Sequence, residues 1–472
     1  MSAIALTAAW VAAAVAGRIA AGDLAREFNG VSIDTRTIGA GELFIAIRGE
    51  RFDGAEFAAG AIDAGAAGVV VPRGWLERSA KASAERDERP VVLEVEDTTT
   101  ALQALGHAVR MESGARVVAI TGSAGKTTTK EVTSEFLASR YRVIRNRGNL
   151  NNHIGLPLSL IELRQRPEIA VVELGMNHAG EISTLVRIAE PEIRVWTNVG
   201  EAHLGFFASI DEIAEAKAEI FEGASASTLL VANADDDRIR SRVGRFGGRV
   251  TTFGIDRDAD VRATAVVDRG IEGTSARFNT PRGSVDVTTP LVGRGNLANV
   301  LAATAVALEC EVPLATIVER ASQLRPASHR GEVVKLPSGV TIIDDSYNAN
   351  PTAMKRAVDV LASGRASRRI AVLGEMLELG DHASALHAGV GRFVAGAGID
   401  LLLTVGGPPA AALADAAVEA GMGRDRARHF ATSDLAADAI AAEVRRGDVV
   451  LVKGSRGVKT DRVVDRLKAE RP

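Results

Sequence analysis

Apolar residues in this chain come in short runs, and each run stops at a glycine, an asparagine or an aspartate. "RVVAITG", "IAVVELGM", "RVWTNVG" and "STLLVANADD" follow this form from about residue 113, separated by helical stretches. Short continuous apolar runs of this kind are expected of parallel strands buried on both faces. The rhythm returns in "VTIIDDSY", "RRIAVLGE", "DLLLTVGG" and "DVVLVKGS". Before residue 113 the pieces are shorter ("LFIAIRG", "AGVVVP", "PVVLEVED") and lie between Ala-rich helical stretches. Residues from roughly 245 to 290 are polar, punctuated by glycine and alternating, as antiparallel strands are. A helix, "NLANVLAATAVALE", then leads into "LRPASHRGE", a loop-like candidate hinge. The pattern predicts an α/β protein of three domains: a smaller N-terminal α/β domain over 1–112, a central mostly parallel sheet with helices over 113–327, and a Rossmann-like C-terminal α/β domain over 328–472.

Length agrees, since 472 residues exceed what one ordinary core holds. Aromatics make up only 4%, so the cores must be built from Ala, Val, Leu and Ile. With 56 basic and 60 acidic side chains the net charge is −4, which argues against a protein that coats nucleic acid or anionic membrane. The single cysteine, Cys310, lies in an Ala/Leu-rich helical run and is expected to be buried. The N-terminal "MSAIALTAAWVAAAVAG" has no Lys or Arg before Arg18 and is short and Ala-rich for a membrane span. It is expected to be a buried helix of a cytoplasmic protein with no membrane insertion.

One short stretch carries chemistry. "VVAITGSAGKTTTKE", Val117 to Glu131, looks like a phosphate loop, yet the Walker A spacing fails. A glycine is required five residues before Gly125, and Ile120 stands there. The context nevertheless suits a phosphate: a strand, a turn through Gly122, Ser123, Ala124 and Gly125, then a helix opening at Lys126, Thr127 and Thr128. Backbone amides and the helix N-terminus would face the anion, Lys126 would add charge, and the Thr127 hydroxyl could ligate Mg²⁺.

Thr-Gly-x-x-Gly-Lys-Thr after a strand resembles the Mur ligase family, ATP-dependent amide-forming enzymes of peptidoglycan synthesis, to which folylpolyglutamate synthase is related. Further stretches extend the resemblance over nearly the whole chain. "RNRGNLNNHIGLPLSLIEL" resembles the family's Asn-rich loop, with Asn149 and Asn152 as substrate contacts. The resemblance implies a Mg²⁺ carboxylate at Glu173 ("VVELGMNHAGEI") and a second-metal histidine at His203 ("TNVGEAHLGFF"). Lys217, in "EIAEAKAEIFEG", matches a lysine that the family often carbamylates, which turns a cation into a carboxylate-like ligand. Asn296 and Asn299 match an adenine-side motif. Each residue has a blander reading. Glu173 could cap a helix, His203 could be an ordinary core or surface histidine, and the two asparagines could be caps. No carboxylate stands one turn from Lys217, so its alternative is a stem along apolar surface with the amine in water.

"IIDDSYNANPTAMKRAVDVL" resembles the branch of the family that joins D-alanyl-D-alanine to UDP-N-acetylmuramoyl-tripeptide. Asp345, Tyr347 and Asn348 fall within it. "AVLGEMLELGDHASALHAGVG" and "LVKGSRGVKTDRVVDRL" follow at that branch's spacing. The second places Lys453, Ser455 and Arg456 in a Gly-flanked loop that a closing domain could bring to the nucleotide. Arg330, in the hinge segment, is a similar candidate. "VSIDTRTIGAGELFIAIRGERFDGAEF" resembles the UDP-binding segment, with Ser32, Thr35, Arg36 and Asp53 as contacts. Two departures stand out: the family usually has His where this chain has Gly295, and His within the segment that here reads Ala55-Glu56. The resemblance implies an ATP- and Mg²⁺-dependent ligase acting through an acyl phosphate, expected as a monomer whose last domain swings about Pro326 to Gly331. Competing readings are another Mur ligase adding a single amino acid, a P-loop NTPase of unrelated role, and a noncatalytic UDP-sugar-peptide binder.

Overall fold

The computed structural model describes residues 2–79, 89–146 and 148–470. These form two compact units, which cut across the expected blocks. The first gathers the chain up to Ala119 with Tyr141–Met176 and Glu181–Glu192; the second gathers Ile120–Arg140, Asn177–Gly180 and everything from Ile193 onward.

In the first unit a five-stranded sheet runs in the order Arg18–Ala21, Val91–Val95, Gly68–Pro72, Leu43–Ile45, Val31–Ser32. Its first strand is antiparallel to its neighbour and the others are parallel. Phe44, Val69, Val71 and Val92 bury one face against Ala58, Ala61, Ile62 and Trp75. The small alanines let the helix Ala58–Asp63 lie close to the strands, as the low aromatic content required.

The N-terminus differs from expectation. Leu6–Thr7 pairs antiparallel with Glu27–Phe28, so the helix is only Ala8–Ala14, with Ala8 and Val11 buried. Thr7 Oγ1 accepts from Trp10 N at 3.2 Å and fixes that late start, because a capping side chain ends the extended segment.

In the second unit one sheet runs Ile193–Trp196, Leu229–Asn233, Arg249–Gly254, Val261–Asp268, Thr274–Thr280, Gly283–Thr289. Antiparallel pairing begins only at Val261–Asp268. Arg249–Gly254 joins in parallel, because the helix Asp237–Val243 provides a crossover before it. The second sheet of this unit runs Glu332–Lys335, Thr341–Asp345, Asp448–Lys453, Arg368–Gly374, Leu401–Val405, Ala427–Phe430. All its neighbours are parallel except the first pair. Its core is aliphatic, with Ile342, Ile370, Val372, Leu403 and Val450 against Ile440, Val463 and Leu467. The edge strands Glu332–Lys335 and Ala427–Phe430 are short and partly polar, so the apolar-run rule passed over them. Cys310 is a buried free thiol. Among the described residues no helix is long and apolar enough to cross a membrane.

Arg110 anchors the first unit. It lies on the helix Thr98–Ser113, is 5% exposed, and donates to Ala189 O at 2.7 Å, Glu190 O at 2.9 Å and Glu192 Oε1 at 2.6 Å. The other carboxylate oxygen of Glu192 accepts from Val117 N at 2.7 Å, at the start of the strand leading to the phosphate-type loop. Removing the guanidinium strands these acceptors. Arg110→Ala is therefore expected to cost about 2–4 kcal/mol of stability, read from urea denaturation.

Candidate active site

The strand Arg116–Thr121 ends at Gly122, whose φ of 149° suits only glycine. A Cβ there would stand 2.0 Å from Thr197 Oγ1, so the turn and the segment after the strand Ile193–Trp196 touch backbone to side chain. Thr197 Oγ1 donates to Ala124 O at 2.8 Å. Asn198 grips the same turn, accepting Ala124 N on Oδ1 at 2.8 Å and Ser123 N on its carbonyl at 3.0 Å. Gly125, at φ 81°, caps the helix Lys126–Leu137, and a Cβ there would meet Asn299 Oδ1 at 2.3 Å. Thr129 N bonds to Gly125 O at the start of this helix, whose first-turn amides point along the axis toward the turn as at any helix N-terminus. Lys126 Nζ donates to Gly122 O at 2.8 Å and closes the turn. This is a rigid anion cradle with a cation at its edge.

Asn299 and Asn296 stand behind the loop. Asn299 Oδ1 accepts from Thr129 Oγ1 at 3.2 Å, its Nδ2 donates to Asn296 Oδ1 at 3.2 Å, and Asn296 Nδ2 donates to Val292 O at 3.0 Å. These bonds give both asparagines a supporting role.

Lys217 lies on the helix Ile210–Ala218 and is 1% exposed, which overturns the picture of an amine reaching water. Burial lowers its pKa well below the ordinary 10.5, and Lys126 lowers it further. His203 sits at φ 66°, with Nδ1 2.7 Å from Glu378 Oε2. Burial is the largest influence on the His203 pKa and lowers it; Glu378 opposes this, and Lys126 and Lys217 reinforce it. A neutral imidazole with its proton on Nδ1 toward Glu378 leaves the Nε2 lone pair available. Glu378 is itself at φ 65°, and hydrogen bonding to His203 holds its carboxyl below the ordinary range. Two residues in the left-handed region thus meet at one cleft, a mark of functional sites.

That cleft, about 200 Å³, is lined by Lys126, His203, Tyr347, Asn348, Ser455 and Arg456, among others. Ser455 Oγ accepts from Leu377 N at 2.9 Å, while Arg456 pairs with Asp461 at 3.0 Å and is mostly exposed. Lys453 was expected in a Gly-flanked loop with Ser455 and Arg456, but it ends the strand Asp448–Lys453 and is buried and paired. Its Nζ lies 2.6 Å from Asp345 Oδ2 and donates to Asn348 O at 2.9 Å. The pair fixes the backbone of Asn348, and through it the cleft wall. Arg330 stacks its guanidinium 4.1 Å over the Tyr347 ring.

The remaining candidates belong to the first unit. Glu173, 3% exposed, ends the strand Ile169–Glu173, accepting from Asn151 Nδ2 at 2.7 Å while Asn146 Oδ1 holds its amide at 3.1 Å. Asn152 Oδ1 accepts from Gly155 N at 2.8 Å, just before the helix Gly155–Ile161, and the Asn149 carbonyl accepts from Asn151 N at 2.8 Å. Arg36 is bidentate to Asp34, whose carboxyl that bond lowers to about 2. Ser32 Oγ lies 3.2 Å from Asp34 N in the same turn, which also holds Thr35; Asp53 caps the short helix Gly54–Phe57. Asn198, Glu378, Asn146 and Asn151 escaped the sequence reading. They lie inside the quoted stretches, but nothing in spacing distinguished them.

Among the described residues no group of three or more His, Cys, Asp or Glu side chains forms a metal cage. Mg²⁺ at phosphates needs none, since one or two protein oxygens complete a shell of waters and phosphate oxygens. Within the second unit, the Thr127 hydroxyl and the His203 imidazole are donors of types that such a shell can use.

Three Mur ligase descriptions match the sequence: the family catalytic domain over 27–110, the middle domain over 120–307 and the glutamate ligase domain over 329–456. The chain is 36% identical to the UDP-N-acetylmuramoyl-tripeptide–D-alanyl-D-alanine ligase of Bacillus subtilis, over 93% of each protein. It superposes on a crystal structure of MurF from Acinetobacter baumannii with a TM-score of 0.87 at 31% identity, covering 99% of this chain and 100% of that one. The MurF ligase of Thermotoga maritima, in complex with ADP, gives a TM-score of 0.81 at 28% identity, over 93% of this chain and 97% of that one. The architecture is thus the three-domain α/β one of these structures.

The buried amine gives a signed expectation. At neutral pH the unfolded chain protonates Lys217 and the folded chain resists doing so, so folding is penalised and stability rises with pH toward the unfolded value near 10.5. Lys217→Met should remove this penalty. The expected result is a higher melting temperature at pH 7, a flatter stability profile between pH 7 and 10, and loss of activity.

Proposed function

The chain belongs to the Mur ligase family, and from that premise we propose that it joins D-alanyl-D-alanine to UDP-N-acetylmuramoyl-tripeptide at the expense of ATP. What carries the reading is one cleft that gathers Lys126 of the phosphate-type loop with Tyr347, Asn348 and Ser455 of the later α/β block. It stands beside full-length similarity to ligases of that name.

A carboxylate is a poor electrophile, so amide formation needs a leaving group. The terminal carboxylate of the tripeptide takes the γ-phosphoryl group of ATP, ADP departs, and an acyl phosphate results. The dipeptide amine then attacks the carbonyl carbon, phosphate leaves with the C–O bond, and the nitrogen gives up a proton. Lys126 and the amides of Lys126, Thr127 and Thr128 hold the transferring phosphoryl group, so catalysis is mostly positioning and electrostatics. Thr127 and Glu173 would hold one Mg²⁺, and His203 with a carbamylated Lys217 a second. Bound there, Mg²⁺ offsets charge on the phosphates. Burial lowers the proton affinity of Lys217, which favours the neutral amine that carbamate formation requires.

The segment 1–112 is assigned to the UDP moiety through Ser32, Thr35, Arg36 and Asp53, with Asn149 and Asn152 toward the peptide. Residues 113–327 take ATP, with Asn296 and Asn299 on the adenine side, and 328–472 close over the nucleotide and receive the dipeptide. Arg330, Asp345, Tyr347, Asn348, Lys453, Ser455 and Arg456 contribute from that last block. The protein is assigned to the cytoplasm, as a monomer.

Lys126→Ala is expected to lower ligation by about 10³-fold or more while UDP-tripeptide still binds, measured as ADP release and by calorimetry. In the wild type, ADP release should require both UDP-tripeptide and D-alanyl-D-alanine. Coupling of D-glutamate or another single amino acid in place of the dipeptide would move the assignment to a different Mur ligase.

Closure is also testable. Gly205 N donates to Glu378 O at 2.9 Å, joining the loop after the strand Ile193–Trp196 to the loop after the strand Arg368–Gly374. Water must be kept from an acyl phosphate, so the reaction calls for a closed cleft. Solution scattering should show a smaller radius of gyration with an ATP analogue and UDP-tripeptide than without them. Equal radii would count against hinge motion at Pro326–Gly331.

A further inference from the structure

A second cavity lies on the other side of the phosphate-type loop. It measures about 100 Å³ and is lined by Ser123, Ala124, Asn198, Asp235, Asp236 and Arg356, among others. Asp235 and Asp236 are not free acids. Asp235 accepts the amides of Ile255 at 2.7 Å, Asp256 at 3.0 Å and Arg257 at 2.9 Å. Asp236 accepts those of Val199 at 2.8 Å, Arg238 at 3.0 Å and Ile239 at 3.3 Å. Two fixed carboxylates repel phosphate oxygens and favour hydroxyl and amino donors. The cavity therefore suits the nucleoside end of a nucleotide whose phosphates lie in the loop.

Arg356 comes from the helix Pro351–Ser363, and its tip is exposed to the cavity. Asp236 and Glu201 influence it only at a distance, and among the described residues no hydrogen bond or ion pair involves its guanidinium. It lies over Gly295, where an added Cβ would stand 3.4 Å from Arg356 Cδ and 3.6 Å from Nη1. Gly295 sits in the helix Gly293–Glu309 without a positive φ, so nothing in its backbone demands glycine. A methyl there would touch the arginine at ordinary contact distance, and only a longer side chain would reach into its space.

We propose that Arg356 is a nucleotide-binding residue, its guanidinium stacked on the purine base in space that Gly295 leaves open. The inference rests on the ATP-dependent reading above. A planar, delocalised cation is suited to stacking on a base, and Asp235 and Asp236 are placed to accept from ribose hydroxyls or an exocyclic amine.

The test is calorimetric titration of the full-length enzyme with ADP and with inorganic tripolyphosphate. Arg356→Ala should weaken ADP roughly ten- to hundredfold and leave tripolyphosphate unchanged, with KM for ATP rising and KM for the UDP-peptide constant. Gly295→Leu should weaken ADP several-fold while Arg356 is present and cost nothing further once it is alanine. Equal ADP affinity in wild type and Arg356→Ala, or parallel loss of tripolyphosphate, overturns the inference and leaves the ligase reading standing. A wild-type enzyme that binds neither ADP nor tripolyphosphate overturns both.

Discussion

The phosphate-type loop holds its shape because no atom stands between Gly122 and Thr197. With 2.0 Å from a hypothetical Cβ to Thr197 Oγ1, no other residue fits at position 122 unless the neighbouring segment moves. From this approach follow the Thr197 bond to Ala124 O, the double grip of Asn198, and the entry angle of the helix at Lys126. Gly125 against Asn299 repeats the device on the other side. The cradle is thus clamped from two directions, by side chains that need not touch the ligand. Such a site meets phosphate with little reorganisation, and that preorganisation is where electrostatic catalysis has its effect.

Around that cradle several ionisable side chains bear on one imidazole. Lys126 and Lys217 act on His203, and only Glu378 among the influences on His203 opposes them. A site so arranged is poor for added protons and good for anions. The burial that depresses Lys217 is consistent with a neutral, reactive amine, whereas a surface lysine would stay protonated.

Much of this was legible in the sequence. Every quoted apolar run of the central and C-terminal blocks became a strand, because strands buried on both faces leave an unbroken apolar signature. The loop was legible because glycine spacing and the strand–helix context are local. Contacts made through space were not. Lys453 read as a loop contact because nothing nearby in sequence announced Asp345, 108 residues away. Gly295 read only as a departure from a family pattern; the arginine above it sits on another helix. Glu378 and Asn198 matter through backbone geometry and partners, which composition does not encode. The N-terminal helix was overestimated because alanine favours helix everywhere, and only tertiary pairing at Leu6–Thr7 stopped it.

Gly205 and Gly380 meet with nothing but main chain between them: a Cβ on the first would lie 2.7 Å from Gly380 N, and one on the second 2.9 Å from Gly205 Cα. Side-chain rotamers have no part in this seam, and neither does side-chain chemistry. The seam behaves as a gauge with zero clearance, so a single methyl group would hold the two loops ajar. A small wedge-shaped molecule lodged there would do the same without resembling nucleotide or peptide. Escape by substitution would be difficult, because any larger residue at either glycine would itself be the wedge.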